Sequence, residues 1–264
     1  MRKIFSVAVL ACLALGAVAP MAAYADDDSV QVGKDTFLNA GAKLWVNTWQ
    51  TNLTGSGRNW NQITEGPVIG FIPSIALKHK QAFISGSFMV TPDYSFPLQT
   101  NFTNTGVLEK STIKGTRQEI DMNVGYYIVP QVALTMGYKG ITEKFKVTSS
   151  VSGYSENSVF LNGITFGITG SAPIGNGWSV YGSGSGGPMF VTYTPSSAYT
   201  DSAIYESSEL GFAWHPHASP FSATLGYKFQ LIQTTINSQN SVAFSLLPRN
   251  EVTRGFMLGA NYTF

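Results

Sequence analysis

The chain holds three histidines, His79, His215 and His217, so any chemistry that needs an imidazole must use one of them. His215-Pro216-His217 sets two potential metal ligands close together, but a zinc site needs three or four, and no Cys or clustered carboxylate stands nearby to complete one. Asp93, Asp201 and Glu206 are the acids placed to serve a mechanism without histidine, yet isolated acids in polar segments are first of all solvating. Neither a metal, a cofactor nor an enzymatic activity is expected. A more ordered set is Lys43, Arg117, Lys139 and Lys228 against Glu119, Asp121, Glu143 and Glu209, four charges of each sign. Each sits at the parity opposite to the apolar residues of its segment, and such a set can pair across an interior or line a pore.

The elements that must position these charges are strands. Apolar residues recur at every second place in Ile120, Met122, Val124 and Tyr126, in Leu134, Met136 and Tyr138, and in Phe221, Ala223, Leu225, Tyr227, Phe229 and Leu231, with small or polar residues between. Period-two alternation of this kind marks strands with two unlike faces. Ten segments are expected: 37–50, 66–77, 81–90, 115–129, 131–145, 159–172, 177–194, 204–215, 221–236 and 251–264. The eight charges fall on the non-apolar face. A three-residue turn centred on Pro130 sets Lys139 against Asp121 and Glu143 against Arg117, two opposite-charge pairs on one side of the wall.

The connections alternate in length. Those at 51–65, 91–114, 146–158 and 237–250 are long and that at 195–203 moderately so, while those at 78–80, around Pro130, at 173–176 and after His215 are short. Asn176-Gly177 supplies the positive φ values of a tight hairpin. A closed barrel with short turns at one end and long loops at the other sorts its connections this way, and an even strand count returns both ends of the chain to one side.

Ahead of the first strand, Arg2 and Lys3 precede an apolar run from Ile4 to Val18, and Ala23-Tyr24-Ala25 presents small residues before Asp26. This is a secretory signal peptide with cleavage expected after Ala25. Residues 1–25 form the signal, 26–36 a short periplasmic segment and 37–264 the barrel. The one cysteine, Cys12, lies in the signal, so the mature chain cannot rely on disulfides. Val9-Leu10-Ala11-Cys12 roughly fits a lipidation box, but the apolar run continues past Cys12 to the better cleavage site. Loss of Arg2 and Lys3 leaves 14 basic against 15 acidic residues, with no basic patch, and nucleic acid is not an expected partner.

Together, the signal peptide, the alternating strands and the terminal Tyr262-Thr263-Phe264 resemble the Gram-negative outer-membrane β-barrel proteins. The resemblance covers the mature chain at the level of the superfamily and brings no substrate with it. It implies an all-β fold, a transmembrane antiparallel up-and-down β-barrel of about ten strands, with eight or twelve as alternatives. It also implies residence in the cell outer membrane, contact with outer-membrane lipid and lipopolysaccharide, and delivery by the barrel-assembly machinery. Tyr262 and Phe264 would form part of the signal which that machinery reads.

The long loops, such as TNLTGSGRNWNQITE, read as solvated surface that could also meet an external ligand or a host surface, since loops on a rigid scaffold often carry recognition. The last one has an apolar centre from Val242 to Leu247. Pro73 and Gly186-Gly187-Pro188 interrupt two strands and are expected to mark a bulge or a bend. The expected function is non-enzymatic: a charge-paired narrow lumen carrying five external loops. A small porin-like channel or a channel for hydrophobic compounds is the alternative, and an outer-membrane enzyme follows behind.

Overall fold

The computed structural model describes residues 35–55, 58–102, 106–151, 153–194, 200–235 and 247–264. The expected signal peptide, nearly all of segment 26–36 and the centre of the last loop lie outside them. Eleven strands follow one another: β1 (Thr36–Gly55), β2 (Arg58–His79), β3 (Ala82–Val90), β4 (Tyr94–Phe102), β5 (Leu108–Val129), β6 (Val132–Ser149), β7 (Gly153–Gly175), β8 (Trp178–Thr194), β9 (Thr200–Trp214), β10 (Phe221–Thr235) and β11 (Leu247–Thr263). Every pairing is antiparallel between neighbours, and β1 pairs with β11 to close the sheet. β3 and β4 both pair with β5, and the two form one stave parted at Thr91-Pro92-Asp93. The wall is therefore a closed barrel of ten staves.

Thr91 holds that parting in place. Its backbone N–H donates to the Arg117 carbonyl at 3.2 Å and its hydroxyl donates to the same oxygen at 3.0 Å, while the hydroxyl oxygen accepts from the Arg117 N–H at 3.1 Å. Pro92 has no N–H to offer, so a side chain completes the ladder there.

Large apolar side chains point outward and are exposed around the wall: Leu38, Leu44 and Val46 on β1, Ile69 to Leu77 on β2, Ile120 to Tyr126 on β5, Leu134 to Tyr138 on β6, Leu210 to Trp214 on β9, and Phe256 and Leu258 on β11. Leu38 to Val46 is roughly 27 Å of strand at about 3.3 Å per residue. At a tilt of about 40° that gives roughly 20 Å of height, close to the apolar band of a bilayer-spanning barrel. Water would strongly disfavour so wide an apolar belt, so the covering medium is lipid.

Above the belt the alternation changes phase. On β6 the even-numbered Leu134, Met136 and Tyr138 are exposed, but higher up the odd-numbered Ile141, Phe145 and Val147 are buried, and Lys144 and Lys146 take the outer face. The same inversion occurs on β5, where Ile113 is buried between the exposed Thr112 and Lys114, and on β7, where Val159 and Leu161 are buried below the exposed Glu156. The barrel is apolar outside where lipid covers it and apolar inside where water does.

This corrects the expectation of long external loops. Most of 51–65, 91–114 and 146–158 is strand, running as tall hairpins beyond the belt. Those segments read as loops because their outer residues are Thr, Lys, Asn and Ser, which suit a wall standing in water.

Pro73 and Gly186-Gly187-Pro188 do not mark bulges either. The register is the same on both sides of each, from Phe71↔Val90 to Ser74↔Ser87 and from Gly163↔Met189 to Phe166↔Gly186. The register of β1 on β2 shifts instead between Asn47 and Trp49, opposite Gly66. Gly66 has φ 133°, and a Cβ there would lie 2.8 Å from the Asn47 carbonyl oxygen. Only glycine fits. At the other end, Asn176 and Gly177 make the expected tight turn with φ 54° and 76°.

Candidate functional site: a charged layer and the cavity beneath it

The residues of the interior layer come from strands that face one another across the lumen. In the register of β5 on β6, Asp121 stands opposite Lys139 and Arg117 opposite Glu143. Lys139 Nζ lies 2.6 Å from Asp121 Oδ2 and also contacts Glu119 Oε2. Arg117 Nε donates to Glu119 Oε1 at 2.7 Å and its Nη1 to Glu143 Oε1 at 2.9 Å. Gln230, from the far side of the barrel, closes the ring: its Oε1 accepts from Arg117 at 3.3 Å and its Nε2 lies 3.1 Å from both Glu119 Oε2 and the Tyr205 hydroxyl. Arg117, Lys139 and Glu143 are 0% exposed. Charges so placed survive burial because nearly every donor is matched, which offsets a desolvation cost of several kcal/mol per ion.

Directly above sits an apolar floor. Trp49 packs edge-on to Tyr94 and Phe96 at ring-centroid distances of 5.0 and 5.4 Å and against Phe145 at 5.2 Å, and the Arg117 guanidinium lies over its ring at 5.8 Å. Ile113, Ile141, Leu161, Val191 and Tyr205 extend this cluster around the wall. The Trp49 indole N–H donates to Glu251 Oε1 at 3.1 Å. The second oxygens of Glu251 and Glu143 have no hydrogen-bond partner among the described residues.

Below the layer the interior is mixed, with a buried apolar cluster of Trp45, Ile72 and Met257 beside the polar groups. A cavity of about 200 Å³ is lined by Lys43, Ser74, Ser87, Asp121, Lys228 and Asn261, among others. Lys43 Nζ pairs with Glu209 Oε1 at 2.9 Å, and the Tyr181 hydroxyl donates to the same oxygen at 3.0 Å. Lys228 stands opposite Glu209 in the register, but its ammonium lies over the Trp45 ring at 5.1 Å.

All eight charges read from the sequence thus point inward. Seven are joined in ion pairs and Lys228 is the exception among the described residues. Sequence reasoning missed Glu251, Glu109, Gln230 and Tyr205, all buried on the inner face. Glu251 shares the odd parity of Gly255 and Gly259 on β11, which could have found it. The others fell in a supposed loop or carried no charge.

The remaining candidates are scattered. His79 contacts the Thr36 hydroxyl at 2.7 Å, and His215 and His217 occupy the turn between β9 and β10, at the same end of the barrel. Burial and the neighbouring His217 hold the His215 imidazole below its ordinary range. Asp201 faces inward on β9, Glu206 stands on its outer face, and Asp93 lies in the parting between β3 and β4. No group of three or more potential metal ligands occurs among the described residues. Tyr262 and Phe264 lie on the outer face with ring centroids 4.6 Å apart, and the Phe264 N–H donates to the Leu38 carbonyl at 2.8 Å.

No protein-family model matches the chain, and no curated protein matches it in sequence. Among solved structures it is similar to the outer-membrane protease OmpT of Escherichia coli, with a TM-score of 0.58 and 13% identity over 87% of this chain and 97% of that one. Looser likenesses are the translocator domain of the autotransporter NalP from Neisseria meningitidis (TM-score 0.47, 9% identity, 85% of this chain and 88% of that one) and Ail of Yersinia pestis (0.34, 13%, 86% and 98%). At such identities the likeness speaks for architecture alone. With ten staves closed around an interior and an apolar belt outside, the chain has the fold of the Gram-negative outer-membrane β-barrels.

Proposed function

We propose that this protein is a non-enzymatic scaffold of the outer membrane, closed to permeation, that holds five external connections, three of them tall hairpins, above the outer leaflet for contact with surface lipid, lipopolysaccharide or an external ligand. The observation that supports closure is the pair of stacked layers in the lumen, the charged ring of Arg117, Glu119, Lys139 and Glu143 and the aromatic floor around Trp49, in which these residues are at most 3% exposed. An ion crossing them would have to displace buried, mutually paired charges. The absence of catalysis is supported by the placement of all three histidines in the turn end, away from the hairpins. The outer-membrane location, with a cleaved signal over residues 1–25 and assembly through the terminal strand, rests on the belt and on the alternation ending at Phe264.

Conductance of the refolded mature chain in planar bilayers tests this reading. Silence, or rare brief openings, is the expected result. A large, steady and unselective current would replace the scaffold with the porin-like alternative.

A further inference from the structure

The cavity below the charged layer has more hydrogen-bond donors than the protein uses. Of the four cations deep in the lumen, Lys43, Arg117 and Lys139 each hold a carboxylate within 3 Å. Lys228 holds none among the described residues within the 4.0 Å of an ion pair, and its ammonium rests against the face of Trp45 at 5.1 Å. Asn261, only 4% exposed, lines the same cavity, and its amide nitrogen has no hydrogen-bond partner. A buried donor left unmet is unfavourable, so Lys228 and Asn261 in the wall of one space favour whatever supplies acceptors.

The acids lining the cavity meet this need only in part, since Lys228 stands opposite Glu209 without closing to an ion pair. Glu209 gives Oε1 to Lys43 and to Tyr181, and Asp121 is held by Lys139 on the opposite side of the space. Ser74, Ser85, Ser87 and Asn123 add neutral polar groups around the rim of the cavity. Asp121 is 28% exposed and Lys43 16%, whereas Lys139 just above is 0%, so solvent reaches this space from the turn end and stops at the charged layer. The result is a cup, blind at the top, with Lys228 and Asn261 in its wall.

We propose that this cup is a binding site for a small oxyanion, a carboxylate or phosphate group, held by the Lys228 ammonium and the Asn261 amide and bounded by Lys43. About 200 Å³ accommodates such a group with its water and excludes a polymer. An oxyanion suits the site better than a halide because it can accept from Lys228 and Asn261 through different oxygens.

The test is calorimetric titration of the mature barrel in nanodiscs with inorganic phosphate and, separately, with acetate. Saturable binding in the millimolar range or tighter is expected for at least one of them, and which one identifies the source chemistry. K228M should lose at least tenfold in affinity and N261A several-fold, while K228R retains binding and K146M, on the outer face of β6, leaves it unchanged. Heat-modifiability of each variant confirms that the barrel has formed. K228Q provides a second removal of the charge should K228M fail to assemble. Absence of saturable binding by the wild type, or binding that Lys228 substitutions do not alter, overturns the proposal. Neither outcome depends on whether the barrel conducts, so this site and the closed lumen stand or fall separately.

Discussion

Lys139 on β6 stands directly opposite Asp121 on β5 and reaches past it to Glu119, so one ammonium bridges two carboxylates that are neighbours on the same face of one strand. The three groups are not equal. Asp121 is partly exposed to the cavity, whereas Lys139 and Glu119 are buried.

Asp121→Ala is therefore expected to be the mild variant, at about 1 kcal/mol, because Lys139 keeps Glu119 and the site is partly wet. Lys139→Met should cost about 3–5 kcal/mol, since it leaves Glu119 with one cation, Arg117, besides the neutral Gln230 amide, and strips Asp121 of its partner. The pairing read from the sequence by itself suggests that Lys139→Met would partly rescue Asp121→Ala. The second contact argues against rescue, and the double variant should resemble Lys139→Met. Urea unfolding from lipid vesicles orders the three, and a double variant as stable as wild type would show that Glu119 does not depend on Lys139.

Trp49 is the keystone of the aromatic floor, in contact with Tyr94, Phe96 and Phe145. Trp49→Ala should destabilise the barrel by about 3–5 kcal/mol through the cavity it leaves. Paired with Phe145→Ala, it should turn a silent protein into one with measurable bilayer current. If the double variant folds and stays silent, the charged layer alone suffices to seal the lumen.

The phase inversion fixes where lipid ends. Val124→Lys, within the belt on β5, should cost about 2–4 kcal/mol. On the same outer face but above the belt, Lys114→Ala should fall within about 0.5 kcal/mol of wild type. Equal effects at the two positions would mean that the belt edge is misplaced.

Phe264→Ala, or deletion of Phe264, should reduce the heat-modifiable fraction in cells more than Thr263→Ala. Phe264 is 69% exposed on the lipid face beside Tyr262, whereas Thr263 lies on the inner face, where its hydroxyl accepts from Asn39 Nδ2 at 3.1 Å. Similar assembly of all three variants would remove the terminal aromatic from any role in recognition.

The opposition of Asp121 to Lys139 is legible in the amino-acid sequence because two local facts determine it, the length of the Pro130 turn and the parity of the flanking apolar residues. The seal is not legible in that way. Trp49 on β1 packs on Tyr94 of β4, and Gln230 on β10 reaches Arg117 on β5 across the lumen, and antiparallel register around a whole barrel depends on every intervening turn. The hairpins escape sequence reasoning for a different reason. A single apolar phase followed upward from the belt breaks off where Ile113, Phe145 and Val147 switch to the other phase, although the strands continue. Phase, not presence, of alternation carries the information there.

The inversion also constrains how the molecule reaches its place. The upper parts of β5 and β6 carry Lys110, Lys114, Lys144 and Lys146 on their outer face, and these segments have to cross the hydrocarbon before they stand in water. An unfolded hairpin would drag those ammonium groups, together with unpaired backbone, through a medium that satisfies neither. A folded one would present the same charges to lipid. A passage shielded from acyl chains would avoid both, which is what the proposed assembly through the terminal strand would require of its partner. Delivery of this chain is thus a translocation problem as much as an insertion problem, and its rate should depend on the outer-face lysines even though its final stability does not.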